Sequence, residues 1–225
     1  MKNLIFKIST VVFLAVVSMY LSACKKDNSF YHDYVNTIQT FEGSAMEYLK
    51  AQPDGTFDSL LLVLDRYPDL ADSLTSQQVT LFAPVNKNFQ ASVKYLNLKR
   101  AADGKPSIYL SNASTDELKA IMCKYIIRGN RNTDDYVNAA DGIQLQSIIT
   151  NYPMHVKYVK LSSSGYVRGG ASVLNFSDTH GSSFTNAWTI ASTNSVNIKT
   201  NNATINIISP LHNFGFNEFT SKLDI

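Results

Sequence analysis

The sequence predicts an α+β fold in which helices come first and antiparallel strands follow. Between Ser44 and Tyr125, helix-capping patterns accompany apolar residues at helical spacing. After Gly129 apolar and polar residues alternate, which is typical of half-buried strands. A chain of 225 residues with 44% hydrophobic composition can bury one core. We therefore expect N-terminal helices packed on an antiparallel β-sandwich or wedge.

The first two helices are predicted from their capping residues. Ser44, followed three positions later by Glu47, forms a capping-box pattern that begins a helix running to Lys50. Thr56 is expected to cap the next helix, which ends at Asp65. Because that second segment is apolar on nearly every side, we expect it to be buried.

Two further helices are predicted beyond a short strand at residues 79–82. Asn86 is expected to cap a helix that runs through Lys94. Ser114 and Glu117 make a second capping-box pattern, and apolar residues follow them at helical spacing. One face of this last helix should pack inward.

The strands are predicted from alternation. Residues 143–149 and 154–158 alternate, and Tyr152 with Pro153 forms the turn between them. Further short strands are expected at residues 166–167, 171–174, 196–198 and 205–207.

The chain begins with the pattern of an export signal. Lys2 and Lys7 precede an apolar run at residues 11–17, and small residues lie directly before Cys24. Leu21-Ser22-Ala23-Cys24 resembles the lipobox of bacterial lipoproteins, which implies that residues 1–23 are a signal peptide and that Cys24 is lipidated. Residues 24–40 would form the tether. Acyl chains on Cys24 would anchor the protein to a membrane without spanning it.

This anchor predicts an outer-membrane location, with the domain at the cell surface or on the periplasmic face. Lys25-Lys26-Asp27-Asn28 is similar to the charged tails that follow the lipid cysteine in lipoproteins of Gram-negative glycan-degrading bacteria, although a solvated linker would also be charged. The formal net charge of +2 gives no reason to expect a nucleic-acid partner.

Three blocks of sequence resemble the fasciclin (FAS1) family. Residues 80–86 match its T-x-F-A-P-x-N turn, with Phe89 as the buried phenylalanine that follows. Residues 118–129 are similar to the central helix and its exit turn, and residues 202–209 to the turn before the final strand. Tyr125 lies where the family often has a histidine. The resemblance implies a FAS1-like domain over residues 41–220, with insertions near 98–111 and 161–188.

Catalytic chemistry finds little support in the sequence. His32, His155, His180 and His212 are scattered, and none has a partner at zinc-ligand spacing. Cys123 lies in an amphipathic helix, where a partly buried free thiol is the expected state. We therefore expect no catalytic residues, no cofactor and no metal, and a protein that is not an enzyme.

Binding is the expected role. Tyr152, Tyr158, Tyr166 and Trp188 fall in the strand-rich half, where aromatic rings could contact a ligand or fill the core instead. The fasciclin resemblance implies adhesion or recognition of an extracellular protein or carbohydrate. The alternative is an accessory lipoprotein of an outer-membrane nutrient (glycan) uptake complex, bound to its transporter. A glycan hydrolase would need two carboxylates brought together by folding.

Overall fold

The computed structural model describes residues 38–163 and 167–224. The predicted signal peptide, Cys24, most of the predicted tether, His32 and Tyr166 lie outside these residues. The strands in this part of the chain are β1 (Gln39–Thr40), β2 (Val79–Ala83), β3 (Ile126–Arg128), β4 (Ile143–Gln146), β5 (Pro153–Lys160), β6 (Ser172–Asp178), β7 (Thr189–Lys199) and β8 (Ala203–Ile208). The helices are α1 (Ala45–Lys50), α2 (Asp58–Asp65), α3 (Pro68–Ser76), α4 (Asn86–Ala102), α5 (Thr115–Cys123), α6 (Asp134–Val137) and α7 (Phe219–Leu223).

The strands form one sheet that curls until its two ends meet. Its order is β3-β2-β8-β7-β6-β5-β4, with β1 added to β7. An isolated antiparallel bridge joins Ile127 in β3 to Ser147, the residue that follows β4. The sheet is therefore nearly closed into a barrel, which leaves little unpaired edge. Helices together with this sheet confirm the predicted α+β class.

Two parallel strand pairs distinguish the sheet from the antiparallel arrangement expected from the sequence. Strand β2 runs parallel to β8, with Val79 opposite Ala203 and Ala83 opposite Ile207. Strand β1 runs parallel to β7. All five residues of β2 are buried, which is typical of a strand covered on both faces.

Strand β7 bends the sheet. It pairs with β6 from Thr189 to Ser192 and with β8 from Thr193 to Lys199, and its register with β8 shifts between Thr193 and Ser195 and again before Ile198. Asn197 lies in the second shift with a φ of 62°, a conformation that asparagine tolerates better than most residues. Its side chain exchanges hydrogen bonds with the amide and the hydroxyl of Thr133, at 2.9 and 2.7 Å. The bulged strand is thereby tied to the segment before α6.

The first capping box forms as predicted. The Glu47 amide donates to Ser44 Oγ at 3.2 Å, and the Ser44 amide donates to Glu47 Oε2 at 2.7 Å. Ser114 is also the N-cap of its helix, α5, but its side chain makes no capping hydrogen bond, so the second predicted box is wrong in detail.

Two other capping predictions are wrong. Thr56 does not cap α2, whose N-cap is Phe57. Asn86 does not cap its own helix either, because its Oδ1 accepts a hydrogen bond from the Ser59 amide at 2.8 Å, within the first turn of α2. In α4 the side chain of Asn88 accepts from the Val85 amide at 2.7 Å. The asparagine of the T-x-F-A-P-x-N turn thus stabilises a neighbouring helix in space.

Asn202 joins three separate elements. Its Oδ1 accepts from the Ala45 amide at the start of α1 at 3.0 Å. Its Nδ2 donates to the carbonyl oxygens of Leu74 and Gln77 at the end of α3, at 3.1 and 2.9 Å. Because helix ends leave backbone groups unpaired, this one buried amide supplies hydrogen-bond partners to both termini and ties the two helices to the start of β8.

Aromatic rings fill the core between the helices and the sheet. The rings of Phe82 and Phe176 stack with their centroids 3.9 Å apart. Tyr125 lies 5.0 Å from Phe214 and 5.1 Å from Phe216, also stacked. All five residues are fully buried, so the chain after β8 is part of the core. Among the helices of the described residues, none has both the length and the apolar character needed to cross a bilayer.

Candidate functional site

A groove of about 420 Å³ opens between α2, α4 and the segment that follows α4. Its volume lies within the range of ligand pockets. Most of the exposed lining surface is apolar, and the lining residues are Ser59, Leu62, Phe89, Gln90, Val93, Lys94, Asn97, Tyr109, Leu110 and Ser111.

The wall that follows α4 is held in place by side chains of the scaffold. Asn97 accepts a hydrogen bond from the Ile108 amide and donates one to the Ile108 carbonyl, both at 2.8 Å. Arg66, at the end of α2, donates to the carbonyl oxygens of Leu110 and Ala113. These bonds fix an otherwise irregular segment, so the groove is formed before any ligand arrives. The segment belongs to the predicted insertion at residues 98–111, whose first part continues α4 to Ala102.

Two large apolar side chains of the groove are exposed to solvent. Leu62 is 45% exposed and Tyr109 is 56% exposed, and both line the groove together with the buried ring of Phe89. Single exposed apolar residues are ordinary, but several around one concave surface indicate a binding site. Lys94 is the one cationic residue among the described residues that line it.

The predicted ligand-contact aromatics do not share one surface. Tyr152 and Tyr158 both pack against the core. The Tyr152 hydroxyl donates to Asp178 Oδ1 at 2.8 Å, and the Tyr158 hydroxyl lies 2.6 Å from Ser172 Oγ. Both rings therefore have structural partners.

Trp188 lies on the other side of the sheet. Its ring centroid is 4.6 Å from that of His155, and its Nε1 donates to the Ser182 carbonyl at 2.8 Å. His155 alternates along β5 with Met154 and Val156, which are buried in the core, so His155 and Trp188 occupy the outer face. Phe184, nearby in the chain, is exposed.

A buried ion pair lies beneath the ring of Tyr152. Lys124 Nζ is 2.5 Å from Asp178 Oδ2 and 2.8 Å from Glu218 Oε2, and it lies 4.2 Å from the centre of the Tyr152 ring. Burial by itself would raise the pKa of Asp178, but hydrogen bonds from Lys124 and from the His180 amide outweigh it and lower that pKa. Asp178 therefore stays ionised at neutral pH.

His212 and Tyr125 form a buried hydrogen-bonded pair. The Gly215 amide donates to the Tyr125 oxygen at 2.7 Å, which leaves the hydroxyl proton for His212 Nε2 at 2.8 Å. The His212 carbonyl and the Ser209 carbonyl accept from Asn88 Nδ2 at 2.7 and 2.9 Å. Burial lowers the pKa of His212 to about 4, so this histidine is neutral at pH 7.

The low pKa of His212 predicts acid sensitivity. In the unfolded chain the pKa is near 6.5, so between pH 6.5 and 4 the unfolded state binds more protons and the free energy of unfolding falls as the pH falls. From pH 7 to pH 5 the expected loss from this residue is about 2 kcal/mol. Urea unfolding at both pH values measures it. His212→Gln should remove most of this difference, and an equal pH dependence in the variant would contradict the assignment.

Cys123 is a free thiol, as expected, but it is fully buried and not partly buried. Burial raises its pKa to about 11. The thiol is therefore protonated at neutral pH, which is unsuited to nucleophilic attack.

No protein-family model matches this chain, and no curated protein matches it. Among solved structures it is similar to a FAS1 domain pair from the insect cell adhesion molecule fasciclin I. That match has a TM-score of 0.47 and 17% sequence identity, and it covers 70% of this chain. It covers 44% of the other chain, so this protein spans less than half of that structure.

Sequence reasoning did not find the groove as a site. Its lining comes from three segments, and Leu62 and Val93 look in sequence like ordinary core positions of their helices. The signal that could have indicated it is the predicted insertion at residues 98–111, because added loops on a scaffold often form binding surfaces.

Proposed function

We propose that this chain is a lipid-anchored binding protein of the cell envelope, of fasciclin type, that acts in adhesion or in recognition of an extracellular protein or carbohydrate. The observation that carries the binding role is the preformed groove between α2, α4 and residues 108–111. The fasciclin-like T-x-F-A-P-x-N turn, at residues 80–86, leads into α4, and residues of that helix line the groove.

The character of the groove favours binding over catalysis. Its exposed apolar groups, Leu62 and Tyr109, can be removed from water by a ligand at a gain of about 25 cal/mol per Å² of apolar area. The ionisable side chains among its described lining residues are those of Lys94 and Tyr109, and this lining contains no carboxylate, histidine or cysteine that could act as a general base. An apolar group flanked by a negatively charged or hydroxyl-rich group would suit this lining.

The envelope location is supported by the N-terminal sequence, where the lipobox-like Leu21-Ser22-Ala23-Cys24 follows a charged and an apolar segment. Lipid on Cys24 would hold the domain close to its ligand and raise its effective concentration there. The charged tail at residues 25–28 favours a second candidate, an accessory lipoprotein of an outer-membrane glycan-uptake complex.

Photo-crosslinking in intact envelopes tests the groove. The photoreactive residue p-benzoylphenylalanine replaces Tyr109 in one variant and Tyr95 in another, since both tyrosines are 56% exposed but Tyr95 lies outside the groove lining. We expect a specific adduct from position 109 and none from position 95. Adding Leu62→Glu should abolish the adduct, whereas Leu211→Glu, at a residue 92% exposed elsewhere, should not.

Equal adducts from positions 109 and 95 would refute the groove as the binding site. The same cells test the anchor, because Cys24→Ala should release the protein from the membrane fraction. Retention of that variant in membranes would contradict the lipid anchor while leaving the groove result intact. If the adduct contains an outer-membrane transporter, the glycan-uptake candidate replaces adhesion.

A further inference from the structure

Three side chains that are unremarkable in sequence converge at one end of the sheet. Asp178 ends β6, His180 follows in the turn after it, and Glu218 precedes α7. Each presents one potential ligand atom, and the three atoms lie within 4.8 Å of one another. Asp178 is buried, while the side chains of His180 and Glu218 are about one quarter exposed, so the cluster can be reached from solvent.

Each of the two carboxylates has one oxygen near Lys124 and the other near His180. Asp178 Oδ2 and Glu218 Oε2 face Lys124 Nζ, at 2.5 and 2.8 Å. Asp178 Oδ1 and Glu218 Oε1 face His180 Nδ1, at 3.6 and 3.1 Å. The second set is therefore separate from the lysine and contains one nitrogen and two oxygens.

The spacing of this second set matches metal ligands. Ligand atoms about 2.0–2.1 Å from a tetrahedral Zn²⁺ lie about 3.3 Å from each other. The two distances from His180 Nδ1 bracket that value. One histidine with two carboxylates is a donor set that zinc accepts, with a water in the fourth position.

Surrounding groups orient these ligands as the outer shell of a metal site does. His180 Nε2 lies 2.9 Å from the Thr189 hydroxyl, which fixes the ring with Nδ1 toward the carboxylates. Asp178 Oδ1 also accepts from the Tyr152 hydroxyl and from the His180 amide, both at 2.8 Å. Hydrogen bonds of this kind to a ligating carboxylate are usual.

The balance of charged groups in the cluster favours an additional cation. Asp178 and Glu218 are two carboxylates and Lys124 supplies one ammonium group, so acidic groups outnumber the lysine at a partly buried place. A cation beside His180 would compensate this excess.

We propose that Asp178, His180 and Glu218 form a binding site for a divalent transition-metal ion, with Zn²⁺ as the best fit. The nitrogen ligand disfavours Mg²⁺ and Ca²⁺, which prefer sets of oxygen donors. The metal would link the end of β6 to the start of α7 and stabilise the C-terminal part of the fold.

Isothermal titration of the purified full chain with Zn²⁺ tests this proposal. We expect binding of one ion, not displaced by excess Mg²⁺. His180→Gly removes the nitrogen ligand and tolerates the left-handed backbone at this position, where φ is 48°. It should weaken binding at least tenfold, and Glu218→Gln should do the same. Thr189→Val should weaken it about tenfold if the hydroxyl orients the ring.

The matched control is His155→Ala, because His155 lies on the outer face of the same sheet and its Nε2 is 2.8 Å from the Asp141 carbonyl. This variant should bind Zn²⁺ like the wild type. Zn²⁺ should also raise the melting temperature of the wild type but not of His180→Gly. Equal affinity in the wild type and in His180→Gly, or no binding by the wild type, would overturn the proposal and leave a cluster held by ion pairs and hydrogen bonds alone.

Discussion

Replacing Phe89 by alanine is expected to lower the free energy of unfolding by about 3–5 kcal/mol. The ring is 1% exposed and lies 4.2 Å from the ring of Phe214, which in turn stacks on Tyr125. Removing it leaves a cavity where α4 meets the chain after β8. That chain is bonded to Asn88 and Ser92 of α4 and cannot move freely to fill the space.

Chemical denaturation followed by circular dichroism measures this loss. Tyr95→Ala is the matched control, because Tyr95 lies on the same helix but is largely exposed, and its removal should change the free energy by no more than about 0.5 kcal/mol. Similar effects from the two variants would show that Phe89 is not part of the core. Confirmation would place the phenylalanine of the fasciclin-like block in the role expected from the sequence.

Asp178→Asn is expected to destabilise the protein by about 3–5 kcal/mol. The substitution keeps the shape of the side chain but removes a charge that lies 2.5 Å from Lys124 Nζ, and both residues are buried. Lys124 would then depend on Glu218, which is partly exposed and 2.8 Å away. An ammonium ion removed from water without a close partner accounts for the size of the loss.

The control for this effect is Asp69→Asn. Asp69 lies 2.7 Å from Lys119 Nζ, but both side chains are substantially exposed, so its loss should cost no more than about 1 kcal/mol. The stability from Asp178 should also disappear in acid. Its pKa is lowered in the folded state, so this contribution is present above the unfolded pKa and is lost as the pH falls through the folded one. Equal losses from the two substitutions would contradict the buried pair.

The charged cluster shows why sequence reasoning found no metal site. His180 has no histidine at i+3 or i+4, and its proposed co-ligand Glu218 is distant in the chain. Motifs of zinc ligands are recognisable when one helix or hairpin supplies two ligands. Here the end of β6 supplies Asp178, the turn after it supplies His180 and the segment before α7 supplies Glu218, so the pattern exists in space alone.

The sequence also did not determine whether the predicted ligand-contact aromatics face the core or the solvent. Alternation places Met154, Val156 and Tyr158 on one face of β5 but does not say which face is inside. In the structure that face packs against the core, and the Tyr152 hydroxyl completes the environment of Asp178. Trp188 lies on the outer face, beside His155.

The sequence alone determined the local elements. The capping box of Ser44 and Glu47, the helix after Ser114 and the alternation in β5 involve residues within four positions of each other, where backbone geometry depends on nearby side chains. The α+β class followed from the order of these elements. The helical spacing of apolar residues also placed Cys123 in an amphipathic helix.

Tertiary structure determined how the helices and strands contact one another. The parallel pairing of β2 with β8, the capping of α2 by Asn86, and the clamp of Asn202 on α1 and α3 join residues far apart in the chain. Such contacts depend on which surfaces pack together and on which buried polar groups then need partners, and the spacing of residues in sequence contains neither. The groove and the Asp178–His180–Glu218 cluster arise in the same way, from segments that meet only in the folded protein.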